Sequence, residues 1–230
     1  TTRPGDRTGC GKPDFTSPDG TPGIDNQFAR LLPALDAATG EPTDGSLERA
    51  IREAELILLI ELESLDDTAN DDCVSLNIYR GTSDVAFGTD GRLLAGQSYD
   101  IDTERPWFRI EDATVRDGVL RAGPFRLELP LTFFSTNLTV VLQRTWIEAK
   151  LLPDGSAAGI LGGAANVADL LQTAADVDPG FVGIATGLLG SSSDLDPDES
   201  GKCQAISIAW EFEADTAHLY PDTVRPAAAD

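Results

Sequence analysis

The chain contains no methionine and a single histidine, His218. Those absences argue against haem and copper centres, whose protein ligands draw heavily on both residue types. Cysteine is scarce as well: Cys10, Cys73 and Cys203 occur with no C-x-x-C spacing, so a thiolate metal site is not expected. Basic residues number 17 against 39 acidic ones, giving a formal net charge of −22. Such a surface has no Lys/Arg cluster with which to displace counterions, which excludes nucleic acid and anionic lipid head groups as partners. Long apolar runs are missing too. The longest, "LILLI" at 56–60, is far below the ~20 residues of a spanning helix. No transmembrane segment is expected, and membrane attachment would require a tether upstream of Thr1. The lack of an initiator methionine leads to the expectation of a processed chain that has lost a signal segment.

What is present is enough for a real core: 230 residues, 41% of them hydrophobic, with evenly spread turn signals. Residues 1–23 are rich in Gly, Pro, Thr and Asp and read as an extended arm, 24–220 as a single β-rich domain, and 221–230 as a tail. Phe28, Leu31, Leu32 and Leu35 form a helical stripe that begins after Asp25, with Pro33 expected to kink or shorten it. A second helix is expected over 46–54 with Ser46 as its cap, leading into "ELILLIELE", which reads as a central strand.

Alternation dominates thereafter. "VSLNIY" at 74–79, "FRLELPLTF" at 125–133, "LTVVLQRTWIEAKLL" at 138–152 and "AISIAWEFE" at 205–213 read as strands with one apolar face, the third of them long enough to bend. Asp-Gly pairs at 90–91, 117–118 and 154–155 supply hairpin chemistry, because Gly tolerates positive φ. "NVADLLQTAADV" interrupts as a helix capped by Asn166, with Asp169 three residues on, and its apolar stripe is expected to face the core. "GFVGIATGLLG" reads equally as a helix or a buried loop. The fold class expected from this pattern is mainly β, an antiparallel β-sandwich or open barrel with two or three covering helices.

Three cysteines permit one disulfide. Cys73 and Cys203 each follow an acidic loop and open a strand-like run, so they are the expected pair, which points to a secreted, periplasmic or cell-envelope setting.

Clustered carboxylates suggest calcium, a hard cation that takes six to eight oxygens from loops able to curl round it. Three stretches qualify: Asp14, Asp19, Asp25 and Asn26 around Gly20 and Gly23; Asp66, Asp67, Asp71 and Asp72; and Asp194, Asp196 and Asp198. The third opens as D-x-D-x-D but carries Glu199 where an EF-hand has Gly and Ala205 where it has its bidentate Glu, so it is not an EF-hand. Asp25 has a second reading as the helix cap. "SPDGTPGIDNQ" resembles the short Asp/Gly/Asn calcium loops of extracellular proteins over about a dozen residues, without the repeated copies usual in such modules. With its Arg-over-Lys and Ala-rich usage, the whole chain looks like uncharacterised secreted or lipoprotein-type proteins of high-GC bacteria, which implies a cell-envelope setting and no particular activity.

These readings converge on a non-enzymatic, calcium-stabilised binding or envelope-structural protein with a protein or glycan ligand. A calcium-dependent carbohydrate-binding module is the nearest alternative. A glycan hydrolase is the enzymatic one: Glu61, Glu63, Glu128, Glu148, Glu211 and Glu213 lie on strands, with Trp107, Trp146 and Trp210 as stacking platforms. A serine triad would have to use His218, and no G-x-S-x-G elbow accompanies it.

Overall fold

A computed structural model describes residues 10, 12, 15–16, 22–39, 43–105, 107–133 and 136–225. It is mainly β. Eight strands form one antiparallel sheet: β3 (Leu58–Glu63), β4 (Asn70–Arg80), β6 (Phe108–Arg116), β7 (Val119–Phe133), β8 (Thr136–Leu151), β9 (Ala157–Asn166), β10 (Leu195–Pro197) and β11 (Cys203–Ala214). Their order is β10-β11-β9-β8-β7-β6-β4-β3. Two small pairs complete the β-structure, β1 (Phe15–Thr16) with β2 (Pro22–Ile24), antiparallel, and β5 (Gln97–Tyr99) with β12 (Ala217–Leu219), parallel. The helices are α1 (Leu32–Thr39), α2 (Thr43–Arg52), α3 (Val167–Val177) and α4 (Val182–Ser192).

The chain divides into two compact units, Thr1–Ser46 with Arg126–Thr145 and Gly162–Trp210, and Leu47–Phe125 with Trp146–Leu161 and Glu211–Asp230. In the second unit, register explains the core. Leu62 pairs with Leu76 and Leu76 with Ile110, while Glu61 pairs with Asn77 and Asn77 with Arg109, so one face of β3, β4 and β6 is apolar and the other carries polar residues beside Leu59 and Tyr79. Val74, Leu76, Ala113 and Val115 are fully buried on the apolar side, each large aliphatic among them contributing about 1.5–3 kcal/mol. Behind the opposite face, Leu59, Tyr79, Tyr99, Ile57 and Ile101 make a second cluster, against which Trp107 and Leu219 pack.

Local chemistry sets the turns. Asp117 and Gly118 both have positive φ, 50° and 75°, which is the two-residue hairpin expected of an Asp-Gly pair between β6 and β7. Gly159 is required for another reason: a Cβ there would lie 2.2 Å from the Glu148 carbonyl oxygen and 2.6 Å from Ala149 Cα.

In the first unit, Leu127, Leu129, Leu142, Ile206 and Ile208 are buried. Along β8 the buried positions shift from Leu142 to Thr145, with Arg144 at a φ of 49° between them, so the long strand swaps faces at one left-handed residue. A 3-10 turn, Gln27–Arg30, precedes α1, and Pro33 falls in the first turn of α1, where its missing N–H would be unpaired in any case. The cap position is Asn26 rather than Asp25. Helix α2 starts at Thr43, earlier than the expected Ser46.

Two further expectations are revised. "ELILLIELE" supplies β3 at one end of the sheet order rather than its centre, and Ile60 is 39% exposed accordingly. The apolar stripe of α3 faces inward but is covered only in part: Val167, Leu170, Leu171 and Ala174 are half-buried, none fully, and α4 buries only Leu189 and Ser192. The α3 start follows its sequence signature, since the Asn166 side chain accepts from Ala168 N at 2.8 Å.

The disulfide joins Cys10 to Cys203, with Cα atoms 6.3 Å apart, and Cys73 is free and exposed. The expected Cys73–Cys203 pair fails on topology. Cys73 lies in β4 and Cys203 in β11, and four strands stand between them in the sheet order. A disulfide spans only about 4–7 Å between Cα atoms.

Candidate functional site

Most of the carboxylates expected to bind calcium lie in the acidic loops. In the stretch 66–72 the carboxylates are organised around Asp71. Its Oδ2 accepts from the backbone N–H of Asp66 (2.7 Å) and Asp67 (3.4 Å), and its Oδ1 from Cys73 N (2.9 Å). Those bonds hold its carboxyl below the ordinary carboxylate range, the Cys73 bond most of all. Asp67 accepts from Ala69 N at 2.8 Å, and Asp72 pairs with Arg116.

In the stretch 194–198 the acids diverge. Asp194 is 2% exposed, and its carboxylate accepts from Ser207 N (2.8 Å) and Ser207 Oγ (2.7 Å). Asp196 pairs with Arg144 at 2.7 Å. Asp198 closes its own turn, taking Ser200 Oγ (2.6 Å), Ser200 N (2.9 Å), Lys202 N (3.0 Å) and Gln204 Nε2 (2.9 Å), and its carboxyl too is held low, chiefly by the Ser200 hydroxyl.

Asn26 has a structural task. Its Nδ2 donates to Ala209 O (2.8 Å) and its Oδ1 accepts from Ala209 N (3.3 Å), so the side-chain amide continues the hydrogen bonding of β11. Asp25 is half-buried beside it, while Asp14 and Asp19 lie outside the described residues. Among the described residues no three His, Cys, Asp or Glu side chains come together as a metal-holding group.

The strand glutamates are more productive. Alternation puts Glu61 and Glu63 of β3, Asn77 and Tyr79 of β4, and Arg109 of β6 on one sheet face, and register aligns them across three strands. Glu61 accepts from Tyr79 Oη (3.0 Å), Asn77 Nδ2 (3.4 Å) and, from the far end of the chain, Arg225 Nη2 (2.6 Å). Arg109 Nη1 donates to Glu63 (2.6 Å) and to Asn77 Oδ1 (3.1 Å). Asn77 is completely buried, which is tolerable only because both ends of its amide are bonded. Tyr79 stacks on Trp107, with ring centroids 5.6 Å apart and an interplanar angle of 21°. Burial, reinforced by the bond to Glu61, pushes the Tyr79 phenol up to about 12.

The array links acceptors and donors from three strands. The hydrogen bond and charge of Arg109 hold the Glu63 carboxyl below the usual carboxylate range. Of the acids and tryptophans singled out from sequence, the fold gathers Glu61, Glu63 and Trp107. Glu128, Glu148 and Glu213 instead take Arg126, Arg121 and Arg92 respectively, and Trp146 stands 51% exposed. His218 is in register with Ser98 across β12 and β5.

Asn77, Tyr79, Arg109 and Arg225 were missed by the sequence reading. Alternation in "VSLNIY" does put Asn77 and Tyr79 opposite Leu76 and Ile78. Nothing local marks Arg225, 164 residues from Glu61, as its partner.

No protein-family model, curated protein or solved structure matches the chain.

Proposed function

We propose that the protein is a non-enzymatic binding protein of the cell exterior or envelope, and that its ligand meets the accessible carboxylates and guanidinium of Glu61, Glu63 and Arg109, which the buried Asn77 and Tyr79 hold in place from beneath. The observation that carries the reading is the cross-linked array on that face, in which acceptors and donors from three strands are oriented beside the Tyr79–Trp107 stack. Rigid strands hold such groups more tightly than loops do, and fixed hydrogen-bonding side chains beside aromatic surface are the usual make-up of a recognition site. The Cys10–Cys203 bond supports an oxidising setting, since cytosolic thiols are kept reduced. Calcium has no part in this reading, because the loop acids described above are held by backbone N–H groups, by Ser207 and by arginines.

The test is an array of peptides and neutral glycans probed with the wild type, Glu61→Gln and Arg109→Ala, alongside unfolding midpoints. A ligand whose signal drops about ten-fold in both variants, as expected for removal of a central polar anchor, supports the reading. Turnover of an aryl glycoside that is lost in Glu61→Gln or Glu63→Gln would replace it with the hydrolase.

A further inference from the structure

Glu61 already holds a guanidinium, and the way that guanidinium arrives identifies what the site takes. The segment from Ala217 to Arg225 crosses the second cluster of its unit: β12 pairs with β5, Tyr220 N donates to Tyr99 O (3.0 Å), and Ile101 N donates to Thr223 Oγ1 (3.0 Å). Beyond Thr223 the hold thins. Val224 is 68% exposed, and the side-chain bond of Arg225 to Glu61 is the next attachment, with Arg225 itself 55% exposed against 23% for Glu61. The acceptor is thus the sheltered, pre-oriented partner, fixed by Tyr79 and Asn77, and the donor is the exposed and replaceable one.

We infer that Val224 and Arg225 are a displaceable strap hinged at Thr223, and that Arg225 stands in for an arginine side chain of a basic peptide which binds at Glu61. The inference rests on the binding reading above and names its ligand class. Charge favours this occupant, because a chain of net charge −22 steers cationic segments toward itself and repels acidic ones. Chemistry favours it as well: a guanidinium presents several N–H donors in a plane, whereas Glu61 offers acceptors held in place by Tyr79 and Asn77. Arg225 acts as an internal competitor, so the apparent affinity for peptide is scaled by the fraction of molecules with the strap open. An exposed ion pair is weak, which keeps the strap poised instead of locked.

The probe is a short, unstructured arginine-containing peptide, with a counterpart in which citrulline replaces arginine, titrated into the full chain as wild type, Arg225→Ala, Glu61→Gln and the double variant. Arg225→Ala should bind the arginine peptide about three- to ten-fold more tightly than the wild type, the range that follows from freeing a site closed by one such pair. The citrulline peptide should show no such gain, and Glu61→Gln should remove binding in either background. Unfolding midpoints, read in parallel, show whether each variant is folded. Equal affinity of wild type and Arg225→Ala overturns the strap, while binding that Glu61→Gln still removes would leave the polar face as a ligand site. Binding indifferent to both substitutions is long-range attraction to an acidic protein and overturns the assignment of Glu61. No binding by any folded form overturns the ligand class.

Discussion

Two aspartate-rich stretches of this chain read alike and are built differently. In 66–72 the chain wraps its own main-chain N–H groups around one carboxylate, Asp71, and the loop is a local object made by residues at most five apart. In 194–198 the three acids leave in three directions: Asp194 into the interior to Ser207, Asp196 across to Arg144, and Asp198 into its own turn. Composition is therefore no guide to convergence. What separates the stretches is strand placement, because Asp194 immediately precedes β10, whose pairing with β11 sets Leu195 opposite Ala205 and brings Ser207 within reach.

The largest effect should come from Asp194. Replacing it with Ala leaves the N–H and hydroxyl of Ser207 buried without their acceptor, at a cost of about 2–4 kcal/mol in denaturant unfolding, and Asn should restore part of it. Adding Ser207→Ala to Asp194→Ala should cost less than the two separate losses summed, since one hydroxyl bond is shared. A loss in Asp194→Ala no greater than that of a surface acid would erase the contrast between the stretches.

Next comes the hub of the first stretch. Asp71→Ala should destabilise more than Asp66→Ala or Asp72→Ala and should speed amide hydrogen exchange at Asp66 and Cys73, whose N–H groups lose their acceptor. The effect carries a pH signature. The folded-state carboxyl of Asp71 is held below its ordinary 3.8, so its stabilisation is complete above that value and is lost as pH falls through the lower folded one. Asp198 should behave in the same way, for the same reason. Wild type and Asp71→Asn should then differ at neutral pH and converge in strong acid, when compared by urea midpoint. Smaller still is Asp196→Ala, which breaks a pair with both side chains about half exposed and should cost only about 0.2–0.5 kcal/mol.

What was legible in the sequence was local. The Asp117-Gly118 turn and the Asn166 cap depend on residues within a few positions and came out as the pattern implies; in "VSLNIY" Leu76 and Ile78 are buried as expected, but Asn77 and Tyr79 on the other face are buried as well. The mainly β class followed because alternation repeated over several strands is hard to imitate. The disulfide partner, the edge position of β3 and the Arg225–Glu61 contact depend on strand order and on residues up to 193 apart, about which periodicity carries no information. The α3 stripe is the instructive partial case. Periodicity picks out the inward side of the helix, where Val167, Leu170, Leu171 and Ala174 are half-buried, but not how completely the rest of the fold covers it.

The smallest expected effect is the response to calcium. Calcium needs six to eight oxygens that converge, and a ligand that binds only the folded state at a hundred times its dissociation constant would add about 2.7 kcal/mol. Both oxygens of Asp71 already face N–H donors, and the acids of 194–198 do not converge, so neither stretch gathers the oxygens calcium needs without rearranging. Thermal unfolding of chelator-stripped protein should show no calcium-specific rise over a magnesium control from these two stretches. A rise abolished by Asp71→Asn would mean that the hub opens to exchange N–H donors for a cation, and the two stretches would differ in metal binding as well as in build. A rise abolished by Asp19→Asn or Asp25→Asn and indifferent to Asp71 would instead place the ion at 13–26, leave the contrast between the stretches intact, and restore calcium to the reading of this protein.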